Sequence, residues 1–393
     1  MKKKIFVIVG TRPNFIKAFP VYEALKNNTI FDIKLIHTGQ HYDNQMNDIF
    51  FEQFKFQKPD MQLTLKKTTK AGDFDNILYN NNQNLIENRQ KLIQDLINYD
   101  KELGQLGEIR DELKKIFANE KPDLVLVFGD VTSTLSASIA AKSLNIKIGH
   151  VESGLRSNDL AMPEEVNRIL TDYITDYFFI TEESAINNLR EEVKTENIFL
   201  VGNTMIDTQK KYLNIVKSRN YHNLIGLKEK QYILITLHRP SNVDNLEKLK
   251  EIFDDIEVKS KEDKIVFCMH HRTKTNLNKI NYLSKILDNT NIILTDPLGY
   301  LDFSSLLYYC KYIITDSGGL QEEACSLNKS CFTLRDNTER PITLIENGGT
   351  NQLIKSIKEI NFKEYKADIL LWDGNSSKRI NEILSKIFPN NNV

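Results

Sequence analysis

The sequence predicts an α/β protein of two domains, each with a parallel sheet that carries helices on both faces. Three observations lead to this prediction. The chain has 393 residues, which is more than one ordinary hydrophobic core organises. Short apolar runs alternate with longer amphipathic segments, a pattern typical of strand–helix–strand units. The alternation occurs as two series, one in each half of the chain, so we expect two Rossmann-like domains.

The candidate strands are the short apolar runs of the two series. In the first half they are Ile5–Val9, Ile33–Thr38, Leu124–Phe128, Ile146–Val151, Tyr177–Thr181 and Ile198–Val201. In the second half they are Tyr232–Leu237, Ile265–Met269, Ile292–Leu294, Tyr312–Thr315 and Ser330–Leu334. Helices are expected between them, for example at Asn14–Asn27, Thr132–Lys142 and Glu183–Glu192. A strand ends and a helix begins at Gly202, so we place the domains at 1–202 and 203–373.

Composition argues against several classes of protein. The net charge is −1, with 52 basic and 53 acidic residues, which disfavours a nucleic-acid or membrane-surface protein. The apolar run Ile5–Val9 is too short for a secretory signal, and no apolar stretch is long enough to span a membrane. None of the four cysteines forms a CxxC pair. We therefore expect buried free thiols in a cytoplasmic protein, and no cysteine metal site.

The segment from Met61 to Asn119 differs from the rest of the chain. It is rich in Asn and charged residues, and its apolar residues recur at helical spacing, as at Leu92, Leu96 and Leu103. We expect a long, largely exposed helical excursion. Two interpretations stay open at this stage. The helical face could support a dimer, or it could pack on its own domain.

Charged side chains follow two candidate strands of the first domain. Ligands of parallel sheets bind at the carboxyl ends of the strands. Arg12 and Lys17 follow the first strand and suit a diphosphate, although they could also form an ordinary basic helix start. Asp130 follows the run Leu124–Phe128. It could serve the site or cap the helix expected at Thr132.

Two further acids lie downstream in the same domain. Glu152 stands at the end of the run Ile146–Val151, and Glu164 follows Pro163 in the first turn of a predicted helix. Helical spacing places Glu164 and Arg168 on one face, as a site pair or as a surface ion pair. Three acids beside a basic anion pocket form a plausible acid–base set, in which clustering favours a protonated member.

Histidines follow two strands of the second domain. His238 suits proton transfer or phosphate contact near neutral pH. His270 precedes His271 and Arg272, also directly after a strand. A histidine pair raises the possibility of zinc, but no third ligand follows at metal spacing.

A Ser-Gly-Gly turn joins another strand of the second domain to a helix. The turn consists of Ser317, Gly318 and Gly319. Its backbone amides and the helix N-terminus suit a phosphate, although a tight turn that merely caps a helix has the same pattern. Glu323, about one helical turn later, can reach ribose hydroxyls. Arg340 and a neighbouring arginine add positive charge near the same sheet edge.

The motifs form a collinear series that resembles the non-hydrolysing UDP-N-acetylglucosamine 2-epimerases. Their first-domain members are Gly-Thr-Arg-Pro at 10–13, Thr-Gly-Gln-His at 38–41, Gly-Asp-Val-Thr-Ser-Thr at 129–134, His-Val-Glu-Ser-Gly-Leu-Arg at 150–156, Pro-Glu-Glu-Val-Asn-Arg at 163–168 and Gly-Asn-Thr at 202–204. The others are Leu-His-Arg-Pro-Ser-Asn-Val-Asp at 237–244, Pro-Leu-Gly-Tyr-Leu-Asp-Phe at 297–303, Asp-Ser-Gly-Gly at 316–319 and Arg-Asp-Asn-Thr-Glu-Arg-Pro at 335–341. The series covers nearly the whole chain.

The resemblance implies a GT-B fold, with two Rossmann-like domains facing a central cleft. It implies that the last helix, about 374–393, returns to the first domain, and that the protein is a cytoplasmic homodimer. Family members open and close about the cleft. The implied role is to supply precursors for cell-surface polysaccharide.

The resemblance also implies a mechanism. The enzyme eliminates UDP from UDP-N-acetylglucosamine, holds a glycal, and adds UDP back with C2 inverted, giving UDP-N-acetylmannosamine. The catalytic residues implied are Asp130, Glu152, Glu164, His238 and Lys17. The residues implied to bind UDP, phosphate or sugar are Arg12, Arg168, His270, Arg272, Ser317, Gly318, Gly319, Glu323 and Arg340. We expect no metal and no nicotinamide, since there is neither a metal triad nor a GxGxxG fingerprint.

Three alternatives remain at the level of sequence. The chain could epimerise another UDP-2-acetamido sugar, such as a 2,3-diacetamido uronic acid, because few pocket contacts set that choice. It could be a UDP-sugar-dependent glycosyltransferase, since GT-B is shared, although the acidic set argues against this. It could also be a catalytically silent sensor. Two residues depart from the family pattern, namely Asn14, where many members carry Glu, and His271, where Pro is usual.

Overall fold

The computed structural model describes residues 2–40, 54, 56–65, 85–98, 104–193 and 196–389. The chain divides into two compact units. The first unit comprises Met1–Thr208 and Leu370–Val393, and the second comprises Gln209–Ile369. The sequence-based boundary after residue 202 lies close to this division, and the C-terminal helix belongs to the first unit.

The first unit contains a parallel sheet. Over the described residues its strand order is β3-β2-β1-β4-β5-β6-β7. The strands are β1 (Lys3–Val9), β2 (Phe31–His37), β3 (Met61–Gln62), β4 (Leu124–Phe128), β5 (Lys147–Val151), β6 (Tyr177–Ile180) and β7 (Ile198–Leu200). β3 was absent from the sequence prediction because two residues carry no periodicity. Since β1, β4 and β5 are neighbours, the loops that follow them lie side by side.

Helices cover this sheet. They are α1 (Arg12–Lys26), α2 (Leu85–Asn98), α3 (Gly104–Glu120), α4 (Thr132–Ser143), α5 (Pro163–Ile174), α6 (Ser184–Glu192), α7 (Thr204–Arg219), which continues into the second unit, and, at the C-terminal end of the first unit, α15 (Ser376–Ile387). Pro163 occupies the first helical position of α5, as its sequence predicts. α15 packs on α1.

The expectation of a largely exposed excursion at 61–119 is wrong for α3. Leu106, Ile109, Leu113 and Phe117 follow one another at helical spacing and are fully buried. They join the hydrophobic core under the sheet, and α3 packs along α4. In α2, Ile93 and Leu96 are buried in the same core, while its other described side chains are exposed or half-buried. The alternative interpretation, packing on the same domain, is therefore confirmed for these helices. Leu103 and the segment 66–84 lie outside the described residues, and a role in dimerisation stays a prediction.

The second unit repeats the parallel architecture. Its strand order is β10-β9-β8-β11-β12-β13 over the described residues. The strands are β8 (Tyr232–Thr236), β9 (Lys264–Cys268), β10 (Ile292–Thr295), β11 (Ile313–Thr315), β12 (Cys331–Leu334) and β13 (Asn351–Ile354). The sequence analysis did not predict β13, because this strand begins with the polar residues Asn351 and Gln352 and lacks an apolar run.

Short helices connect the strands of the second unit. They are α8 (Tyr221–Leu224), α9 (Pro240–Val243), α10 (Leu246–Lys259), α11 (His271–Lys279), α12 (Leu283–Leu287), α13 (Tyr300–Tyr309) and α14 (Gly318–Ser326), with 3₁₀ turns at Pro341–Thr343, Ile345–Asn347 and Ile357–Glu359. None of the helices described in either unit is long and apolar enough to cross a membrane.

All four cysteines lie in the second unit as buried, free thiols. Burial raises the pKa to about 11 for Cys268 and Cys325 and to about 12 for Cys310 and Cys331. Thiols with such raised pKa values are protonated and unreactive at neutral pH. The prediction of buried free thiols is confirmed.

If α3 is an integral part of the core, Leu113→Ala should lower the free energy of unfolding by about 2–5 kcal/mol. The variant removes buried methyl groups and leaves a cavity between α3 and the sheet. Urea unfolding followed by circular dichroism measures the change. Lys115→Ala is the control, since Lys115 lies two residues away on the exposed face of the same helix. Equal stability of both variants would contradict this assignment.

Candidate functional site

Three neighbouring strands of the first unit deliver the candidate acid–base residues. Arg12 and Lys17 follow β1, Asp130 follows β4, and Glu152 follows β5 directly. Because these strands are parallel and adjacent, their carboxyl ends meet at one edge of the sheet. The sequence-based expectation that these residues share an edge is confirmed.

Lys17 and Glu152 form a buried ion pair. The Lys17 Nζ atom lies 2.7 Å from the Glu152 carboxylate, and the two side chains are 7% and 2% exposed. A Cβ atom at Gly129 would lie 3.3 Å from Nζ, so this glycine allows the β4 loop to pass close to the pair. Lys17, which we expected beside a diphosphate, contacts an acid in this structure, and its role toward a diphosphate stays a prediction.

The backbone of Glu152 is strained. Its φ angle is +68°, in the left-handed region that non-glycine residues rarely occupy. Such a conformation costs on the order of 1–3 kcal/mol and persists where the surroundings enforce it. The Glu152 N–H donates to the Phe179 carbonyl at 2.9 Å, which anchors the residue to β6. Backbone outliers of this kind concentrate at functional sites, which supports a role for Glu152.

Asp130 is paired with Arg168, which also contacts Glu165. The expected partnership of Glu164 with Arg168 is therefore wrong. Arg168 pairs with Glu165, three residues before it on the same helix, and not with Glu164, four residues before it. The capping alternative for Asp130 is also wrong, because the cap residue of α4 is Val131, and the side chain that accepts the Ser133 N–H in its first turn is Gln40. Asp130 instead carries a cation on its carboxylate at the sheet edge.

The consecutive acids Glu164 and Glu165 have different environments. Glu165 is fully buried, and its carboxylate accepts N–H groups of Ser157 and Asn158 at 3.0 Å. It thus holds the loop that follows β5. Glu164 is only half-buried, at the start of α5. A carboxylate with this partial exposure can serve a ligand, whereas Glu165 is committed to structure.

Asn14 is a structural residue of the site that sequence reasoning did not identify. Its Oδ1 atom accepts the N–H groups of Gly10 and Thr11 at 3.3 Å, and its Nδ2 donates to the Phe128 carbonyl at 2.8 Å. The side chain therefore ties the end of β1 to the end of β4. An amide both accepts and donates, whereas an ionised carboxylate only accepts. The departure from Glu at this position is what permits the second contact.

In the second unit, His238 is oriented by Asp316. The His238 Nδ1 atom lies 3.0 Å from Asp316 Oδ1, at the ends of the adjacent strands β8 and β11. Asp316 also accepts the backbone N–H groups of His238 and Arg239. Burial alone would raise the pKa of Asp316, but His238 and the amide donors outweigh burial and lower it. An ionised Asp316 fixes the hydrogen on Nδ1, which leaves Nε2 for a ligand.

His270 and Arg272 occupy the start of α11. His270 caps the helix, with its Nδ1 accepting the Arg272 N–H at 3.3 Å. Burial first, and then His238 and other nearby basic groups, lower the pKa of His270. Arg272 is exposed and pairs with Asp244. Among the residues that the structure describes, no three His, Cys, Asp or Glu side chains are grouped as metal ligands.

The Ser-Gly-Gly turn forms the N-terminus of α14. Ser317 is the cap residue, but its own N–H donates to Thr315 Oγ1 at 3.1 Å. The Ser317 amide is therefore used within the turn, and the amides of Gly318 and Gly319 are the ones at the start of the helix. A Cβ atom at Gly318 would lie 2.3 Å from Glu339 Oε1. This close approach requires glycine at 318 or a shift of the Glu339 side chain.

Arginines near this turn are matched by acids. Arg340 is buried, and its Nε lies 3.1 Å from Glu322. A second arginine, Arg335, pairs with Glu339 at 2.9 Å. Glu323, expected at the ribose, is buried on α14. The second unit thus has two arginines near the N-terminus of α14, and each is paired with a glutamate.

Comparison with known proteins decides the family. A sequence model described as UDP-N-acetylglucosamine 2-epimerase matches residues 23–94 and 93–385. This chain belongs to the UDP-N-acetylglucosamine 2-epimerase family. The predicted resemblance is therefore confirmed, and the chain is an enzyme of the isomerase class.

Relatives support the family assignment over the full length. The UDP-N-acetylglucosamine 2-epimerase of Methanocaldococcus jannaschii is 38% identical over 397 residues, covering 97% of this chain and 99% of the relative. A crystal structure of that protein in complex with UDP-GlcNAc and UDP has a TM-score of 0.77 at 37% identity, covering 98% and 99%. The predicted two-domain α/β GT-B fold is thereby confirmed.

A relative with a different sugar in its name is also similar. The UDP-2,3-diacetamido-2,3-dideoxy-D-glucuronate 2-epimerase of Pseudomonas aeruginosa is 33% identical over 399 residues, covering 98% of this chain and all of the relative. Family membership therefore leaves the sugar open, and the individual roles of the site residues stay predictions.

The lowered pKa of Asp316 predicts a pH-dependent effect of Asp316→Asn. The folded pKa lies below the unfolded value of about 4, so the ionised carboxylate stabilises the fold fully above that value. This contribution disappears as the pH falls through the folded pKa. We expect the stability difference between the native protein and the variant to be largest at pH 7 and to shrink toward pH 3.

Urea unfolding at pH 7, 5, 4 and 3 measures this difference. Asp296→Asn serves as the control, because the Asp296 side chain is 88% exposed and lies outside the His238 pair. A difference for Asp316→Asn that is the same at every pH would contradict the orienting ion pair.

Proposed function

We propose that this chain inverts C2 of UDP-N-acetylglucosamine to give UDP-N-acetylmannosamine. The reaction eliminates UDP to a bound glycal and adds UDP back with the opposite configuration at C2. The observation that carries the proposal is the pair of cation-matched carboxylates, Asp130 and Glu152, at adjacent strand ends of a family member. The fold and the relatives' names support the same reaction.

The chemistry accounts for the residue types. The hydrogen on C2 is not acidic, because no carbonyl activates it. Cleavage of the anomeric C–O bond must therefore run ahead of proton loss, and the charge on the departing diphosphate must be stabilised. The amides of Gly318 and Gly319 at the start of α14 suit this role, together with His238 and Arg340. Asp316 takes the Nδ1 hydrogen, so His238 Nε2 can donate to a phosphate oxygen when the ring carries a hydrogen on both nitrogens.

Proton transfer falls to the acids of the first unit. Glu152 contacts Lys17 and Asp130 contacts Arg168, and a carboxylate can accept a proton. The contact with Lys17 Nζ holds the Glu152 side chain in place. Glu164 completes the set of proposed acid–base groups. Arg12 adds positive charge at the same strand ends.

A second candidate is the epimerisation of a UDP-2,3-diacetamido uronic acid. The Pseudomonas aeruginosa relative, with its 33% identity over almost the whole chain, favours including it. The elimination and re-addition would be the same, and the sugar contacts alone would differ. We keep UDP-N-acetylglucosamine as the first candidate because more of the similar relatives carry that name.

We extend the proposal to a cytoplasmic homodimer that provides activated sugar for cell-surface polysaccharide. The buried, protonated thiols suit a reducing compartment. Light scattering of the purified chain measures its molar mass and decides between monomer and dimer.

The proposed reaction predicts deuterium exchange at C2. In D₂O, the enzyme should convert UDP-N-acetylglucosamine partly to UDP-N-acetylmannosamine. Both sugars should carry deuterium at C2, because forming the glycal removes the C2 proton and re-addition of UDP places a solvent-derived deuteron there. Proton NMR follows both signals. We expect EDTA to leave the rate unchanged and no added nicotinamide to be needed. Conversion of only the 2,3-diacetamido uronic acid would favour the second candidate, and loss of activity in EDTA with recovery on a divalent ion would overturn the metal-free mechanism.

The proposed roles predict two classes of variant. Asp130→Asn, Glu152→Gln and Glu164→Gln should each lower kcat by roughly 10²-fold or more, with UDP affinity nearly unchanged, because proton transfer contributes in the transition state. Arg340→Ala and Glu323→Gln should weaken UDP binding itself. Steady-state kinetics and calorimetric titration with UDP separate the two effects.

Glu262→Gln is the matched control for these variants, since the Glu262 side chain is 69% exposed on the surface. Melting curves identify any variant that fails to fold, a necessary check for Arg340 because its removal takes away a buried cation that contacts Glu322. A folded variant of Asp130, Glu152 or Glu164 with near-normal turnover would remove that residue from the acid–base set.

A further inference from the structure

His150 is a fully buried histidine near the end of β5, and both of its ring nitrogens have acceptors. The Nε2 atom lies 2.8 Å from the Gly129 carbonyl oxygen, and Nδ1 lies 2.7 Å from Asp172 Oδ1. Its side chain is 0% exposed. A neutral imidazole has a hydrogen on only one nitrogen, so it could satisfy only one of these contacts.

The second acceptor, Asp172, is ionised. It is fully buried on α5, and it accepts the Gly154 N–H at 3.0 Å and Arg156 Nη1 at 2.8 Å. Burial alone would raise the pKa of Asp172, but Arg156 and His150 outweigh burial and lower it. A carboxylate and a carbonyl oxygen only accept hydrogen bonds. Both ring nitrogens of His150 must therefore donate, which makes the ring an imidazolium.

Charge balance supports the same conclusion. Arg156 also pairs with Glu192 through Nε at 2.8 Å and Nη2 at 2.7 Å. The connected group then contains the cations His150 and Arg156 and the anions Asp172 and Glu192. A neutral ring would leave one negative charge uncompensated in the interior, which is costly. Arg89 also approaches this group, but its Nη2 donates to the Glu192 backbone carbonyl and not to the carboxylate.

The imidazolium contacts the peptide that precedes Asp130. The Gly129 carbonyl belongs to the peptide bond between Gly129 and Asp130, in a turn where Gly129 has a φ of +61°. On the other side, Asn167 Nδ2 donates to the Asp130 carbonyl at 2.9 Å. The two peptides flanking Asp130 are thus each held by a side chain. Asp172 in turn holds the Gly154 amide, two residues after Glu152.

We propose that His150 is a buried imidazolium that positions Asp130 for catalysis by holding the Gly129 carbonyl. Asp172 couples the same ring to the loop that carries Glu152, so one buried group sets the geometry of both acids. His150 is a positioning residue, since it contacts no reacting atom. Its kinetic consequence rests on the proposed epimerase function, whereas its charge state does not.

The charge state is tested by NMR on the full chain with ¹⁵N-labelled histidine. We expect both ring nitrogens of His150 to show protonated shifts at pH 7. His222 is the internal reference, because it is a buried histidine of the second unit whose pKa is lowered by burial. The His150 signals are assigned by their absence in His150→Gln. A neutral, single-tautomer ring for His150 at pH 7 would overturn the proposal.

The positioning role is tested by kinetics of two variants. His150→Gln retains an amide donor of similar reach toward the Gly129 carbonyl, whereas His150→Phe has none. We expect kcat to fall about 10-fold for Gln and about 10²-fold for Phe, because small displacements of a catalytic group have effects of this size. UDP affinity, measured by calorimetry, should change less than about 3-fold in both, which separates positioning from general damage.

Melting curves show whether both variants fold. If His150→Phe does not fold, the kinetics of His150→Gln and the NMR measurement still test the proposal. A folded His150→Phe with native kcat, or an equal loss for both variants, would overturn the positioning role. Absence of turnover in the native chain would contradict the proposed function, while the NMR result would still test the imidazolium.

Discussion

The parallel order of strands is the constraint on which the rest of the structure depends. Parallel neighbours bring the loops after their carboxyl ends to one edge, so residues far apart in sequence meet there. In the first unit, β1, β4 and β5 unite Lys17, Asp130 and Glu152 in this way. In the second unit, β8 and β11 place His238 against Asp316. Each unit thus assembles its own polar group from separate loops.

Pairing of opposite charges governs these groups more than clustering of like charges. Sequence reasoning expected neighbouring carboxylates to act on one another. In the structure, Glu152 instead pairs with Lys17, and Asp130 pairs with Arg168. Burial makes an unmatched charge expensive, so each of these acids contacts a cation, with Arg168 shared between Asp130 and Glu165. The cations therefore help to orient the acids.

Much of the fold could be predicted from sequence, because buried parallel strands are near-continuous apolar runs with clear limits. β4 was predicted at its observed bounds. α3 was misread as exposed because a helical stripe such as Leu113 and Phe117 does not reveal what covers it. β3 and β13 were missed because they are short or polar. Local pattern identifies elements better than it identifies their partners.

The candidate site shows the same division. Glu152 was found because it follows a strand directly. Asn14 was noted only as a departure from the family pattern, and the supporting roles of Asn14, Asp316 and His150 were not predicted, because their contacts reach residues distant in sequence. Glu164 and Glu165 are adjacent and chemically identical, so only the tertiary structure distinguishes the buried acid from the half-buried one.

The distribution of cysteines has a practical consequence. All four thiols are buried in the second unit, and the first unit contains no cysteine. The four are Cys268, Cys310, Cys325 and Cys331. An alkylating reagent can react with them only after that unit opens locally or globally. The rate of thiol labelling thus reports the opening equilibrium of one half of the molecule. The native cysteines therefore allow local unfolding of the second unit to be measured without an engineered label.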